Sequence, residues 1–123
     1  MVSRALVSIV DDDESVRESL PDLLREFGFT TRSFASAREF LTSDAIGQTQ
    51  CLILDIAMPG MTGFELLQEL KLRRQEIPTV FMTAFADEHV RPRAVQQGAV
   101  DCLTKPFSDT ALFDAVRAAL RVT

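Results

Sequence analysis

Five short runs of apolar or β-branched residues alternate with five longer segments of helical period along the whole chain. The short runs are Arg4 to Val10, Phe29 to Phe34, Gln50 to Leu54, Thr79 to Met82 and Val100 to Thr104. Three of them are almost continuously apolar, the pattern of strands covered on both faces. The first helical segment, Glu14 to Phe27, puts Val16, Leu20, Leu23, Leu24 and Phe27 on one stripe and stops at Gly28. Pro21 inside it removes a backbone donor and predicts a kink or an early break. Ser36-Ala37-Arg38-Glu39 and Thr62-Gly63-Phe64-Glu65 have the capping-box form and put helix starts near residues 37 and 63. Residues 44–49 read as a polar connection, Gly98 closes a segment that begins at Asp87, and a last amphipathic stretch runs from Ser108 to Val122. Strict alternation with short connections predicts an α/β fold: right-handed crossovers, a doubly wound parallel sheet and helices on both faces.

At 123 residues, 46% hydrophobic and 25% charged, the chain is expected to be one domain, residues 1–123, around one core. A net charge of -5 argues against direct nucleic-acid binding, which needs clustered Lys and Arg. No apolar run approaches 18 residues and no basic-then-apolar leader is present, so the expectation is a cytoplasmic protein without a membrane span. Cys51 and Cys102 lie in separate strand runs without CxxC spacing and are expected to be reduced core thiols. His89, in a polar stretch without Cys or His neighbours, reads as a surface residue.

In sheets of this kind, ligands sit beyond the carboxyl ends of the strands. Those ends carry Asp11, Asp12 and Asp13 after the first run, Asp55 after the third, Thr83 after the fourth, and Lys105 with Pro106 after the fifth. Two carboxylates about 4 Å apart repel by roughly 4 kcal/mol at an effective dielectric of about 20, so such a cluster calls for a cation or a proton. Helix capping accounts for one of the three consecutive aspartates, Asp12 or Asp13, but not for all three. Asp12 and Asp55 offer a hard divalent cation two carboxylates, with water and a backbone carbonyl completing the oxygen set, which suits Mg²⁺. Lys105 adds a positive charge and Thr83 a hydroxyl. A carboxylate among such groups suits a phosphoryl acceptor, and Asp55, alone at the start of a loop containing Pro59, Gly60 and Gly63, is the natural nucleophile.

Four stretches carry a resemblance to a known family: Ser8 to Asp13; Leu54-Asp55-Ile56-Ala57-Met58-Pro59-Gly60-Met61-Thr62-Gly63; Met82-Thr83-Ala84; and Gly98 through Phe107. With them the chain resembles, over essentially its whole length, the receiver domain of two-component response regulators, most closely the FixJ-like group. The resemblance implies a flavodoxin-like (βα)5 fold with strand order 2-1-3-4-5, and Mg²⁺-dependent phosphorylation of one aspartate by a partner histidine kinase. It implies Asp55 as phosphoacceptor and Asp12, Asp55 and the backbone carbonyl of Ala57 as metal ligands, with Asp11 completing the acidic pair through water. It further implies Thr83 as the switch hydroxyl, Lys105 as the phosphoryl partner, and Pro106 after a cis peptide bond. FixJ-like receivers usually precede a C-terminal helix-turn-helix output domain, absent from this chain, and phosphorylation commonly drives a homodimer.

One position departs from the pattern. The family usually has Tyr or Phe three residues before the lysine, as part of the switch, whereas this chain has Cys102. Cysteine lacks a ring to move, so the relay is expected to pass through the loop after Thr83, where Phe85 is unassigned. Pro92 predicts a shortened or bent fourth helix. The leading function is thus a phosphoacceptor signalling domain in transcription regulation, without turnover beyond slow self-phosphorylation and acyl-phosphate hydrolysis. An aspartate-nucleophile phosphatase is the first alternative, but those enzymes resemble Asp-x-Asp where this chain has Asp55-Ile56-Ala57. A phosphorylation-independent pseudo-receiver is the second, and the Asp, Thr and Lys set weighs against it.

Overall fold

The computed structural model describes residues 4–85 and 87–121. Its elements run β1 (Leu6–Val10), α1 (Glu14–Glu26), β2 (Thr30–Phe34), α2 (Ala37–Leu41), β3 (Cys51–Asp55), α3 (Gly63–Leu72), β4 (Thr79–Thr83), α4 (Val90–Gln96), β5 (Asp101–Thr104) and α5 (Asp109–Arg121). All strand pairs are parallel and the sheet order is β2-β1-β3-β4-β5, the doubly wound order expected. The last strand residues stay nearly level: Val10 is opposite Leu54, Asp55 opposite Met82, and Thr83 opposite Thr104. This register gathers the residues that follow β1, β3, β4 and β5 at one edge of the sheet.

Alternate strand residues point to opposite faces, so the sheet separates two cores. Val10, Leu52, Leu54, Phe81 and Cys102 pack on one side with Phe40, Leu66, Leu70 and Ala94 from α2, α3 and α4. Val7, Ile9, Cys51, Ile53, Val80, Met82 and Leu103 pack on the other with Leu20, Leu24, Leu112 and Val116 from α1 and α5. Cys51 and Cys102 therefore lie on opposite faces of the sheet, both buried and both free.

Local chemistry explains the helix ends. Asp13 caps α1 by accepting from the Ser15 N–H, and Gly28 closes that helix at φ 96°, a conformation disfavoured for residues with a Cβ. Thr62 and Glu65 make the full reciprocal capping box of α3. At α2 only half of the predicted box forms: Ser36 accepts from the Glu39 N–H, while Glu39 accepts from the Ala35 N–H instead.

Three expectations are corrected. α1 is not broken at Pro21; it continues to Glu26, because Leu20, Pro21 and Leu24 are buried together and that packing outweighs one missing backbone bond. Residues 44–49 are not a plain connection but contain a 3-10 turn, Asp44–Gly47, capped by Ser43 and anchored by buried Ala45. The last helix begins at Asp109; its predicted end at Val122 lies outside the described residues. Pro92 does act as predicted in shortening α4. It is the third residue of a seven-residue helix, where a missing N–H costs no intrahelical bond.

Candidate functional site

Asp11 follows β1 and is fully buried, and its carboxylate is satisfied on both oxygens. Oδ1 accepts from the Asp13 N–H at 2.9 Å and Oδ2 from the Lys105 ammonium at 2.8 Å. Arg17, one turn into α1, donates from Nη1 to the Asp11 carbonyl at 2.9 Å. Asp12 is exposed on the solvent side of the same turn.

Asp55 ends β3 and is only 6% exposed. Its carboxyl is pushed up to about 7, first by burial and then by the Asp11 charge; Lys105 opposes this, Asp12 adds to it, and the Ala57 N–H works against it. Lys105 Nζ lies 3.9 Å from Asp55 Oδ1. Burial disfavours the Lys105 ammonium, yet its hydrogen bond to Asp11 and the charges of Asp55 and Asp11 hold its pKa above the usual lysine value. One carboxylate oxygen each from Asp11, Asp12 and Asp55 lie within 4.8 Å of one another. Three hard oxygen donors at this spacing, one of them in a carboxyl that burial and repulsion keep from ionising readily, fit a divalent cation.

The loop after Asp55 is bolted to the strand. Gly63, at the start of α3, donates its N–H to the Ile56 carbonyl at 2.9 Å, and a Cβ there would lie 2.5 Å from the Asp55 carbonyl oxygen. Only glycine lets α3 approach the acceptor so closely. Thr83, at the end of β4, is buried, and its Oγ1 accepts from the Phe85 N–H at 3.0 Å. Lys105 is set beside it by its own N–H, which donates to the Thr83 carbonyl at 2.8 Å, and the Lys105-Pro106 peptide is cis.

The predicted residues Asp11, Asp12, Asp55, Thr83 and Lys105 thus all lie at the same sheet edge, and Ala57 contacts Asp55 through its backbone. Cys102 does not belong to this edge. It is buried in β5 opposite Phe81, and burial, with the Asp101 charge, raises its thiol pKa. Arg17 was missed by the sequence reading. Its position four residues after the helix cap is the one available signal, since that spacing returns a side chain to the first turn. His89 is at the surface, as expected, 3.7 Å from Glu88.

A parallel five-stranded sheet with an acidic cluster and a lysine at its carboxyl edge defines a class of doubly wound ligand-binding domains. The chain belongs to the response regulator receiver domains: that family's pattern matches residues 7–117. It is 44% identical over 117 residues to nodulation protein W of Bradyrhizobium diazoefficiens, covering 95% of this chain and 52% of that protein. It is 40% identical over 114 residues to the transcriptional regulatory protein FixJ of Azorhizobium caulinodans, covering 93% of this chain and 54% of that protein. Among solved structures, FixJ-N superposes with a TM-score of 0.88 at 35% identity, over 99% of this chain and 98% of that one. The chain spans about half the length of the curated relatives it matches. Among the described residues, no helix is long and apolar enough to cross a membrane.

Proposed function

We propose that Asp55 is the phosphoacceptor of this receiver domain, and that residues 1–123 form a single receiver unit whose phosphorylation controls an output domain. The observation that carries this reading is the convergence of the Asp11, Asp12 and Asp55 carboxylates within 4.8 Å, with Lys105 3.9 Å from Asp55. An Asp55 oxygen forms the new O–P bond as the N–P bond of a kinase phosphohistidine breaks. Lys105, now bonded to Asp11, is within reach of the incoming phosphoryl oxygens, and the Thr83 hydroxyl, which donates to the Phe85 carbonyl at 3.4 Å, turns that O–H to one of them. Asp12, Asp55 and the Ala57 carbonyl would hold Mg²⁺, with Asp11 supporting it through water. Bound there, Mg²⁺ supplies charge neutralisation at the phosphoryl oxygens.

We further propose a histidine kinase partner, a C-terminal helix-turn-helix domain outside this chain, a cytoplasmic setting and a homodimer on phosphorylation; relatives named as transcriptional regulatory proteins support the output domain. The phosphatase alternative finds no support at residue 57, where an alanine cannot act as general acid or base. Acetyl phosphate with Mg²⁺ should add one phosphoryl group by intact mass, and Asp55→Asn should abolish the addition. Full labelling of that variant would overturn the assignment.

A further inference from the structure

The position where receivers usually carry a movable ring is Cys102, 5% exposed and opposite Phe81 in the β4–β5 register. The aromatic bulk on this side of the sheet lies elsewhere. Phe81, fully buried in β4, packs against Phe64 of α3 with the rings tilted by 54° and centroids 4.9 Å apart. The outer face of the Phe64 ring is covered by the Arg93 guanidinium of α4, 4.3 Å from the centroid. α4 itself contributes Val90 and Ala94 to this cluster, which includes the small residues Ala99 and Cys102.

Both arms of the acceptor site end on this aromatic pair. From Asp55, the path is the Gly63 contact with the Asp55 carbonyl and then the next residue, Phe64. From Thr83, it is two residues back along β4 to Phe81. The far end of α4 is tied down separately, by Gln68 and Lys71 of α3 bonding to Gln97. At its front, Arg91 pairs with Asp101 of β5 at 2.8 Å and Val90 packs on the core, while Arg93 makes the ring contact to α3. A face-on guanidinium is sensitive to small ring displacements, because the attraction depends on its position over the ring.

We propose that Phe64 is the positioning residue that couples the state of Asp55 to α4, through the Arg93 contact, in place of a ring at position 102. The inference rests on the reading of Asp55 as phosphoacceptor and deepens it. A chain of packed residues becomes a coupling path only if both ends bias it, which a variant series can measure.

The test uses this chain with Mg²⁺ and beryllofluoride as the phosphoryl mimic, reading amide shifts and hydrogen exchange at residues 90–97 and, separately, near residues 11, 55 and 83. Native protein should change α4 exchange by about fivefold or more, and Phe64→Leu and Arg93→Gln should each cut that to less than about twofold while keeping the response at residues 11, 55 and 83. The double variant should lose no more than either single one, since both break one contact, and Arg93→Lys should restore part of the response. Arg93 is exposed, so its variants keep the test independent of any folding defect in Phe64→Leu. A native-sized α4 response in Arg93→Gln, or additive losses in the double variant, would overturn the coupling. Absence of any response near residues 11, 55 and 83 in the native chain would overturn the site reading beneath it.

Discussion

The Lys105 ammonium sits 2.8 Å from Asp11 Oδ2 but 3.9 Å from Asp55 Oδ1. The lysine is thus held by the buried partner of the acidic pair rather than by the acceptor. Asp11 accordingly has two opposing effects on Asp55: its own charge makes ionisation harder, and it draws away the cation that would make ionisation easier. Asp11→Asn removes both effects. The Asp55 carboxyl should then titrate below its native value of about 7, yet stay above the ordinary carboxylate range, because burial is the largest cause of the shift. A carboxyl ¹³C titration of Asp55 reads this directly, and an unchanged midpoint would contradict it.

Stability should depend on pH through the same residue. The folded Asp55 binds its proton more tightly than the unfolded chain does, with a pKa of about 7 against 3.8. The folded state therefore holds the extra proton between those values, so stability falls as pH rises from about 4 to about 7 and levels off above that. Asp55→Asn escapes this, so it should exceed the native chain by about 4 kcal/mol at pH 8, with the gap closing toward pH 4. Chemical denaturation across that pH range in metal-free buffer measures the gap, and a constant difference would exclude the acceptor as its source.

Gly63→Ala should harm both fold and acceptor. Its Cβ would lie 2.5 Å from the Asp55 carbonyl oxygen and 2.9 Å from the Ile56 Cα, and backbone atoms cannot rotate away. The expected cost is about 1–3 kcal/mol in urea unfolding, with slower labelling by acetyl phosphate. A neutral substitution would mean that α3 is free to shift.

Restoring a ring at position 102 should not restore a switch. The site is 5% exposed and faces Phe81 and Ala94 in one packed cluster, so Cys102→Phe should overpack it by about 1–3 kcal/mol. Thermal melts check the loss. A stabilised variant would show that the cluster holds unused space.

The acyl phosphate should be long-lived. Ala57, two residues beyond the acceptor, is exposed but has no polar side-chain atom to guide an attacking water. Decay of the labelled mass should take minutes or longer, and Ala57→Asn should shorten it; loss within seconds in the native chain would contradict the reading.

Much of the site was legible because the chain alternates so strictly between strand and helix. Once the apolar runs are read as parallel strands, Asp11, Asp12, Asp55, Thr83 and Lys105 fall at strand ends, and the register brings those ends level. Asp13 as a cap and the Thr62 box were legible too, since capping involves only neighbours in sequence. Pro21 misled for the same reason. A local rule predicted a kink or an early break, whereas burial of that helix face keeps the helix running on to Glu26.

The sequence by itself therefore determined the order of elements, the polarity of each strand end and the departure at Cys102. Only the tertiary structure decided that Lys105 binds Asp11 before Asp55, that Arg17 holds the Asp11 carbonyl, and that Phe64, Phe81 and Arg93 meet. The physical reason is distance. Periodicity and capping act over a few residues, while ion pairing and ring contacts depend on burial and separations of a few ångströms between residues far apart in the chain.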